Sequence, residues 1–427
     1  MVPHDLLHLR RLIGNQWLTP AELRRLQEKK LRRLIAHAYD RVPYYRRLFD
    51  SAGLKPEDIR GVADLSRIPA TSKAQLVELP LKDITARGTD PRRCRVTTTS
   101  GTTGVPFKIY YRPKDLTRIN FGWVRTYLAH GMKVWHRIGA FRGWHHEDIK
   151  KNWYEYLGLW RRLTLSSGER PETWIAELRR WRPQVILGYA MTLNLLAEAI
   201  SEGRVRNIRP KMIFHTSGLL HPRDRESIGR ALGSKVVDIY GSDEGGCIAW
   251  ECPVCAGYHI NVDLVVLEIL EGLQPARPGQ EGDVVITNLN SFAMPLIRYR
   301  QEDVAALSLE TPSCGRGLPL MKDIQGRIDD FILLPSGKRI SPHPFYWAIL
   351  MVPGISQWRV VQEARDLLKV EVVAGRDFGG DGPAMIEANL RKIVKDGMRI
   401  AVSVLDAIER NPQEKFRSVI SKVRSEG

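Results

Sequence analysis

The chain has 427 residues, 43% hydrophobic and 26% charged, proportions that exclude a wholly disordered or fibrous protein and leave interior enough for two or three domains. Its 65 Lys and Arg against 48 Asp and Glu leave a net charge of +17, which points to anionic partners: nucleic acid, a membrane surface or a phosphate-bearing small molecule. Zinc-finger spacing and aromatic RNA-binding signatures are missing, so no nucleic acid partner is expected. No run reaches the ~18 apolar residues of a transmembrane helix, and the N-terminus lacks the apolar core of a secretory signal. Five cysteines make no disulfide scaffold, so a reduced, cytoplasmic setting is expected.

Residues 1–95 read as a mainly helical lead-in, interrupted at Pro43, Pro56 and Pro69. The first 50 residues hold 11 Lys/Arg against 5 Asp/Glu. Leu23, Leu26, Leu31, Leu34 and Ile35 recur at helical spacing, so the basic residues form the outer face of an amphipathic helix. That face is either solvated or a docking surface for a membrane or a protein assembly. From about residue 95 to 310, β-rich runs at 185–189, 211–218, 235–241, 264–270 and 283–289 alternate with helical stretches such as TWIAELRRW and TLNLLAEAIS. The alternation predicts α/β layers, with ligand positions beyond the carboxyl ends of the strands. From Arg327 onward the pattern becomes α+β, with strands at FILLP, WRVVQ and LKVEVVAG and a helix at PAMIEANLRKIVKDG. The expected division is a large domain of residues 1–326 and a small one of residues 327–427.

Two local patterns carry chemistry. Thr97–Gly104 packs six hydroxyl side chains and two glycines into eight residues. Glycines let backbone N–H groups turn toward an anion and hydroxyls add donors, so the segment suits phosphate oxygens, although a plain Ser/Thr/Gly surface loop has the same composition. It lacks the Gly-Lys-Ser/Thr of a Walker loop. Cys247, Cys252 and Cys255 form a Cys-x4-Cys-x2-Cys pattern with His259 just after and Cys314 further on. Thiolates and an imidazole in that pattern suit a closed, structural zinc site, against the alternative of free thiols. Cys94 stands apart.

TTTSGTTGVP resembles the phosphate-binding loop of the acyl-adenylate-forming (AMP-binding) superfamily, and four further stations follow in that superfamily's order. Asp238–Glu244 (DIYGSDE) is similar to its Tyr-Gly-x-Thr-Glu motif, and Pro295–Asp303 (PLIRYRQED) to its PLIRYRTGD segment. Gly326–Asp330 resembles its Gly-Arg-x-Asp-Asp hinge, and Glu414–Ile420 its terminal GKFRxVI segment. Within the superfamily, LRRLIAHAYDRVPYYRRLFDSAGL and IAWECPVCAGYHIN resemble the phenylacetate–coenzyme A ligase family, most closely its members among capsular and exopolysaccharide biosynthesis proteins.

The resemblance implies a large α/β adenylate-forming domain, a small mobile α+β domain, and a ligase that uses ATP to turn a carboxylic acid into an acyl-adenylate and then a coenzyme A thioester. It implies Mg²⁺ on Glu244 and ATP phosphates on Thr99, Ser100, Gly101, Thr102, Thr103 and Gly104. It also implies nucleotide contacts from Ser217, Gly218, Asp238, Tyr240, Gly241 and Ser242, the ribose on Asp303 beside Arg327, a hinge at Asp329 and a catalytic lysine at Lys415. Cys252, His259 and Cys314 match the zinc positions of some relatives, with Cys255 completing the set and Cys247 as its competitor. Trp135, His136, Trp144, His145, His146, Tyr189 and His215 fall in segments that could line an acyl pocket or pack in the core. Three departures stand out: Asp243 for Thr or Ser, Gln301-Glu302 for Thr-Gly, and Glu414 for Gly. The departures at Gln301-Glu302 and Glu414 leave open a protein that has lost efficient adenylation. Transfer to another acceptor (sugar, amine or carrier) and a catalytically silent nucleotide-binding scaffold are the competing readings.

Overall fold

Proline sets where the lead-in helices begin. Pro20, Pro43, Pro56 and Pro91 each open a helical segment, where the missing N–H costs nothing and the fixed φ suits the first turn. Pro43 and Pro56 therefore start helices, whereas Pro69 precedes an extended stretch in which Thr71 pairs with Tyr299. The computed structural model describes every residue except 1–2, 100–106, 143–152, 167–168, 170, 204–207, 328–330, 341, 376, 395–396, 409–416 and 424–427.

The helix Pro20–Arg41 begins with a reciprocal cap between Thr19 and Glu22 and buries Leu23, Leu31, Leu34, Ile35 and Ala38, the predicted stripe apart from a half-buried Leu26. Leu31, Leu34, Ile35 and Ala38, with the following Tyr45 and Phe49, pack against Val266, Leu289 and Ile297. Tyr45 is fully buried, and its hydroxyl accepts the Ile297 N–H at 2.9 Å, which joins the VPYYRR and PLIRYR segments.

A twelve-stranded sheet forms the centre. One half contains, in spatial order, Arg162–Ser166, Ile138–Arg142, Val185–Gly188, Met212–Thr216 and Val236–Ser242, all parallel. Gly246–Glu251 then reverses direction and pairs antiparallel with Val236–Ser242, followed by Tyr258–Ile260 and Leu320–Arg327, also antiparallel. Tyr299–Leu307, Glu281–Asn288, Val265–Glu271 and the two-residue edge Gln274–Pro275 complete it. Helices cover both faces of the parallel half, so adjacent strand residues go to opposite cores. Ile186, Ile213 and Val236 pack under the helices Pro171–Trp181, Ala190–Ser201 and Pro222–Leu232, whereas Val185, Phe214 and Val237 join Met132 and Tyr127 on the other face.

The chain divides into two compact units, Met1–Gln301 with Ala306–Asp323, and Glu302–Ala305 with Ile324–Gly427. The second has a four-stranded sheet in the order Arg399–Leu405, Leu367–Ala374, Ile355–Ala364, Val419–Ser421. The helices Pro342–Leu350 and Gly382–Val394 supply Phe345, Ile349, Ile386 and Leu390 to its core. This is the large α/β unit and small α+β unit that the sequence predicts. No helix among the described residues is long and apolar enough to cross a membrane.

Candidate functional site

The sheet changes from parallel to antiparallel at the turn between Val236–Ser242 and Gly246–Glu251, and that turn carries Glu244. Open α/β sheets place ligands beyond the carboxyl ends of their strands at such switch points. Several groups hold the turn. The Tyr111 hydroxyl donates to the carbonyl oxygens of Asp243 (2.6 Å) and Glu244 (3.2 Å), the Asn288 amide donates to Glu244 O (2.7 Å), and Gly245 N–H donates to Ser242 Oγ (2.9 Å). The Glu244 carboxylate is buried; it accepts a hydrogen bond from the Tyr299 hydroxyl at 3.2 Å, and the Ser242 hydroxyl also bonds to it. Burial, with Asp243 adding to it, holds this carboxyl above the usual carboxylate range.

Tyr111 belongs to Phe107–Tyr111, which pairs antiparallel with Arg95–Thr99, and Phe107 stacks on Tyr299 with ring centroids 6.3 Å apart. The hairpin that flanks the Ser/Thr/Gly loop is thus anchored to the Glu244 turn. The loop residues Ser100, Gly101, Thr102, Thr103 and Gly104 lie outside the described residues, as do His145 and His146, Trp144, Asp329 and Lys415. Thr99 ends the first hairpin strand and Arg327 the strand Leu320–Arg327.

Gly241 is explained by a close approach: a Cβ there would lie 2.5 Å from the Gly246 carbonyl oxygen and 2.7 Å from the Trp123 ring. Tyr240 is buried one residue earlier in the strand. At the carboxyl end of the adjacent strand, Ser217 and Gly218 turn the chain with φ of 65° and 129°. Asp303 sits on Tyr299–Leu307 just after Glu302, whose φ of 61° is in the left-handed region; the residue standing in for the resembled glycine takes a glycine conformation.

Asp238 is tied into the sheet. Both its oxygens are used inside the fold: Oδ1 lies 2.6 Å from His215 Nδ1 and Oδ2 accepts the Tyr258 hydroxyl at 2.8 Å. Burial opposes its ionisation, but His215, Tyr258 and Arg225 outweigh that and hold the carboxyl below the usual range. The reason is register, because His215 and Asp238 are partners on neighbouring parallel strands. His215 is accordingly a buried partner of Asp238, and Trp135 is 60% exposed.

A second cluster forms where the hairpin joining Gly246–Glu251 to Tyr258–Ile260 meets the segment before Leu320–Arg327. The donor atoms of Cys252, Cys255, His259 and Cys314 all lie within 4.8 Å of one another. Cys255 Sγ is 3.2 Å from Cys252 Sγ, and Cys314 Sγ is 3.2 Å from His259 Nε2. Two ~2.3 Å zinc–sulfur bonds at a tetrahedral angle put their sulfurs roughly 3.8 Å apart, so this spacing suits one ion. His259 Nδ1 faces the Leu318 carbonyl at 3.1 Å, which fixes the ring and turns Nε2 inward. The N–H groups of Val254 and Cys255 donate to Cys252 Sγ, both at 3.4 Å. Burial pushes the Cys252 thiol up to about 11 and His259 down to about 4. Burial also opposes ionisation of Cys314, but Arg316 outweighs it and draws that thiol down. Cys247 is elsewhere, buried with Sγ 3.4 Å from Thr126 Oγ1, and is not part of this group.

Sequence reasoning missed the groups that support these sites. Tyr111, Tyr299 and Asn288 come from three separate segments. A buried pair, Arg125 and Asp263 at 2.8 Å, ties the helix Pro113–Ala129 to the sheet. Arg298, inside PLIRYR, is buried against Glu268 at 3.0 Å and has a φ of 47°.

No family model matches the chain. The chain is 31% identical over 358 residues to a phenylacetate-coenzyme A ligase of Thermus thermophilus, covering 78% of this chain and 76% of the relative. A more distant relative, the protein CapK of Staphylococcus aureus, is 23% identical over 73% of the chain and 69% of its own length. Among solved structures, a 2-hydroxyisobutyryl-CoA ligase in a postadenylation state superposes with a TM-score of 0.79 at 21% identity, over 96% of this chain and 91% of that one.

Proposed function

The chain belongs to the phenylacetate–coenzyme A ligase family, and on that premise we propose that it activates a carboxylic acid with ATP and transfers the acyl group to coenzyme A. The observation that supports this reading is the anchoring of Arg95–Thr99 and Phe107–Tyr111, the two strands that flank the TTTSGTTG segment in sequence, to the Glu244 turn at a switch point of the sheet.

In the first step the acid's carboxylate oxygen attacks the α-phosphorus of ATP, a C–O–P linkage forms, and pyrophosphate leaves. Thr99, Ser100, Gly101, Thr102, Thr103 and Gly104 hold the phosphate oxygens by hydroxyl and N–H donors. Glu244 would hold Mg²⁺, which would offset the charge that builds on the phosphates. Ser217, Gly218, Tyr240 and Ser242 border the nucleotide at the carboxyl ends of two adjacent strands. Asp303 accepts hydrogen bonds from the ribose hydroxyls, Arg327 stands beside it, and Lys415 donates to the α-phosphate. In the second step the coenzyme A sulfur attacks the acyl carbon and AMP leaves, with Asp329 as the hinge between the two arrangements. Cys252, Cys255, His259 and Cys314 would hold zinc in a structural role, because four protein ligands would leave no open position.

The test is pyrophosphate release across a panel of carboxylic acids, with and without coenzyme A. Acid-dependent release with turnover that depends on coenzyme A supports the reading. Release indifferent to coenzyme A indicates another acceptor, and no release with any acid points to a silent scaffold. Lys415→Ala should reduce adenylation by orders of magnitude and leave thioester formation from supplied acyl-adenylate largely intact; equal loss in both half-reactions would remove the role given to Lys415.

A further inference from the structure

We propose that the basic N-terminal region contains a binding site for a phosphate group, formed by Arg11, Lys30, Arg33 and Arg118. The four side chains line one cavity of about 230 Å³, and they come from three helices, Pro3–Asn15, Pro20–Arg41 and Pro113–Ala129. No carboxylate lines the cavity. Among the described residues none of the four is in an ion pair, whereas neighbouring basic residues of the lead-in do find acids: Arg47 with Asp83 at 3.0 Å and Lys55 with Asp50 at 3.2 Å.

The acid whose charge reaches Lys30 is already used. Asp263 accepts from Arg125 at 2.8 and 3.0 Å and from Asn15 at 2.8 Å, and offers Lys30 only its backbone carbonyl, at 2.6 Å. Lys30 therefore keeps two N–H donors for a ligand. Arg33 is held with its guanidinium carbon 5.3 Å from the centre of the Phe292 ring. Cations held together without an anion repel one another, and a phosphate would turn that repulsion into several charge-assisted hydrogen bonds. Burial, followed by Arg125 and Arg118, holds Lys30 below the ordinary lysine range despite the opposing pull of Asp263, and an anion here would reverse that.

The cavity is smaller than the roughly 300–1,000 Å³ of a drug-sized site, so it takes a phosphate and little of the carbon skeleton behind it. Leu7, Leu289 and Phe292 supply an apolar wall for that remainder. A soluble phosphomonoester and the headgroup of a phosphatidic acid present the same chemistry.

Inorganic phosphate and vesicles of phosphatidylcholine with or without phosphatidic acid are the probes, read by thermal unfolding and by co-sedimentation. Phosphate should raise the melting temperature of the wild type, and Arg11→Gln and Arg33→Gln should each weaken that response on the order of tenfold. The Arg11→Gln/Arg33→Gln/Arg118→Gln variant should lose it while keeping the stabilisation by AMP and the rate of pyrophosphate release. Co-sedimentation that requires phosphatidic acid and is lost in the same variants identifies a lipid source, and a thermal shift without co-sedimentation a soluble one. A phosphate response that survives in all variants, or no response in either arm, overturns the site. Because neither probe requires turnover, failure here is separate from failure of the ligase reading.

Discussion

At one end of the strand Gly246–Glu251 lies the Glu244 turn, and at the other the Cys252–Cys255 hairpin, so a single strand spaces two candidate metal positions. The turn is organised through its backbone: Tyr111 and Asn288 hold the carbonyls of residues 243 and 244, while hydroxyls of Tyr299 and Ser242 meet the carboxylate. The hairpin is organised through its side chains, with sulfur and imidazole donors drawn together within 4.8 Å. An ion that keeps its waters and works with substrate phosphates needs a carboxylate already in place. An ion that closes a loop is bound by donors that have little reason to converge without it. On the proposed function, the first kind of site serves catalysis and the second the fold.

This contrast can be broken experimentally. Stripping the metal with a chelator, or Cys252→Ser, should remove about one zinc per chain and cost several kcal/mol of stability, read by metal analysis and thermal unfolding. A metal-free protein of unchanged stability would end the structural assignment. Glu244→Gln should lower adenylation on the order of a hundredfold while zinc content and fold stay intact, because it removes the charge that holds Mg²⁺ but not the hydrogen bonds that build the turn. Tyr299→Phe should cost on the order of tenfold in the same assay, the lower end of the value of one hydrogen bond to a carboxylate. Cys247→Ala should leave zinc content unchanged and cost about 1–2 kcal/mol for a small buried group. Loss of zinc in that variant would restore Cys247 as a ligand.

Much of the architecture was legible because its causes are local. The parallel strands are short β-rich runs, and their neighbouring residues alternate between two cores, as in Ile213 and Phe214. The lead-in helices follow from proline and the Leu23–Ile35 stripe. The order of the motif stations gave the family and its candidate residues. What stayed hidden depends on register and on distant pairing. Asp238 meets His215 only because the two strands align them, and Tyr111 reaches Glu244 across more than a hundred residues. The left-handed φ of Glu302 could be suspected only from the glycine it replaces, and the Asp263–Arg125 pair left no motif at all.

The two-residue strand Gln274–Pro275 ends the central sheet on one side. An uncovered sheet edge is a template onto which another chain can add a strand, and a long sheet with reactive borders invites aggregation. Pro275 has no N–H to offer, and the strand is too short to align an incoming segment, so growth of the sheet is blocked at that border. Pro275→Val with a neighbouring insertion would therefore be expected to affect solubility during expression before it affects catalysis.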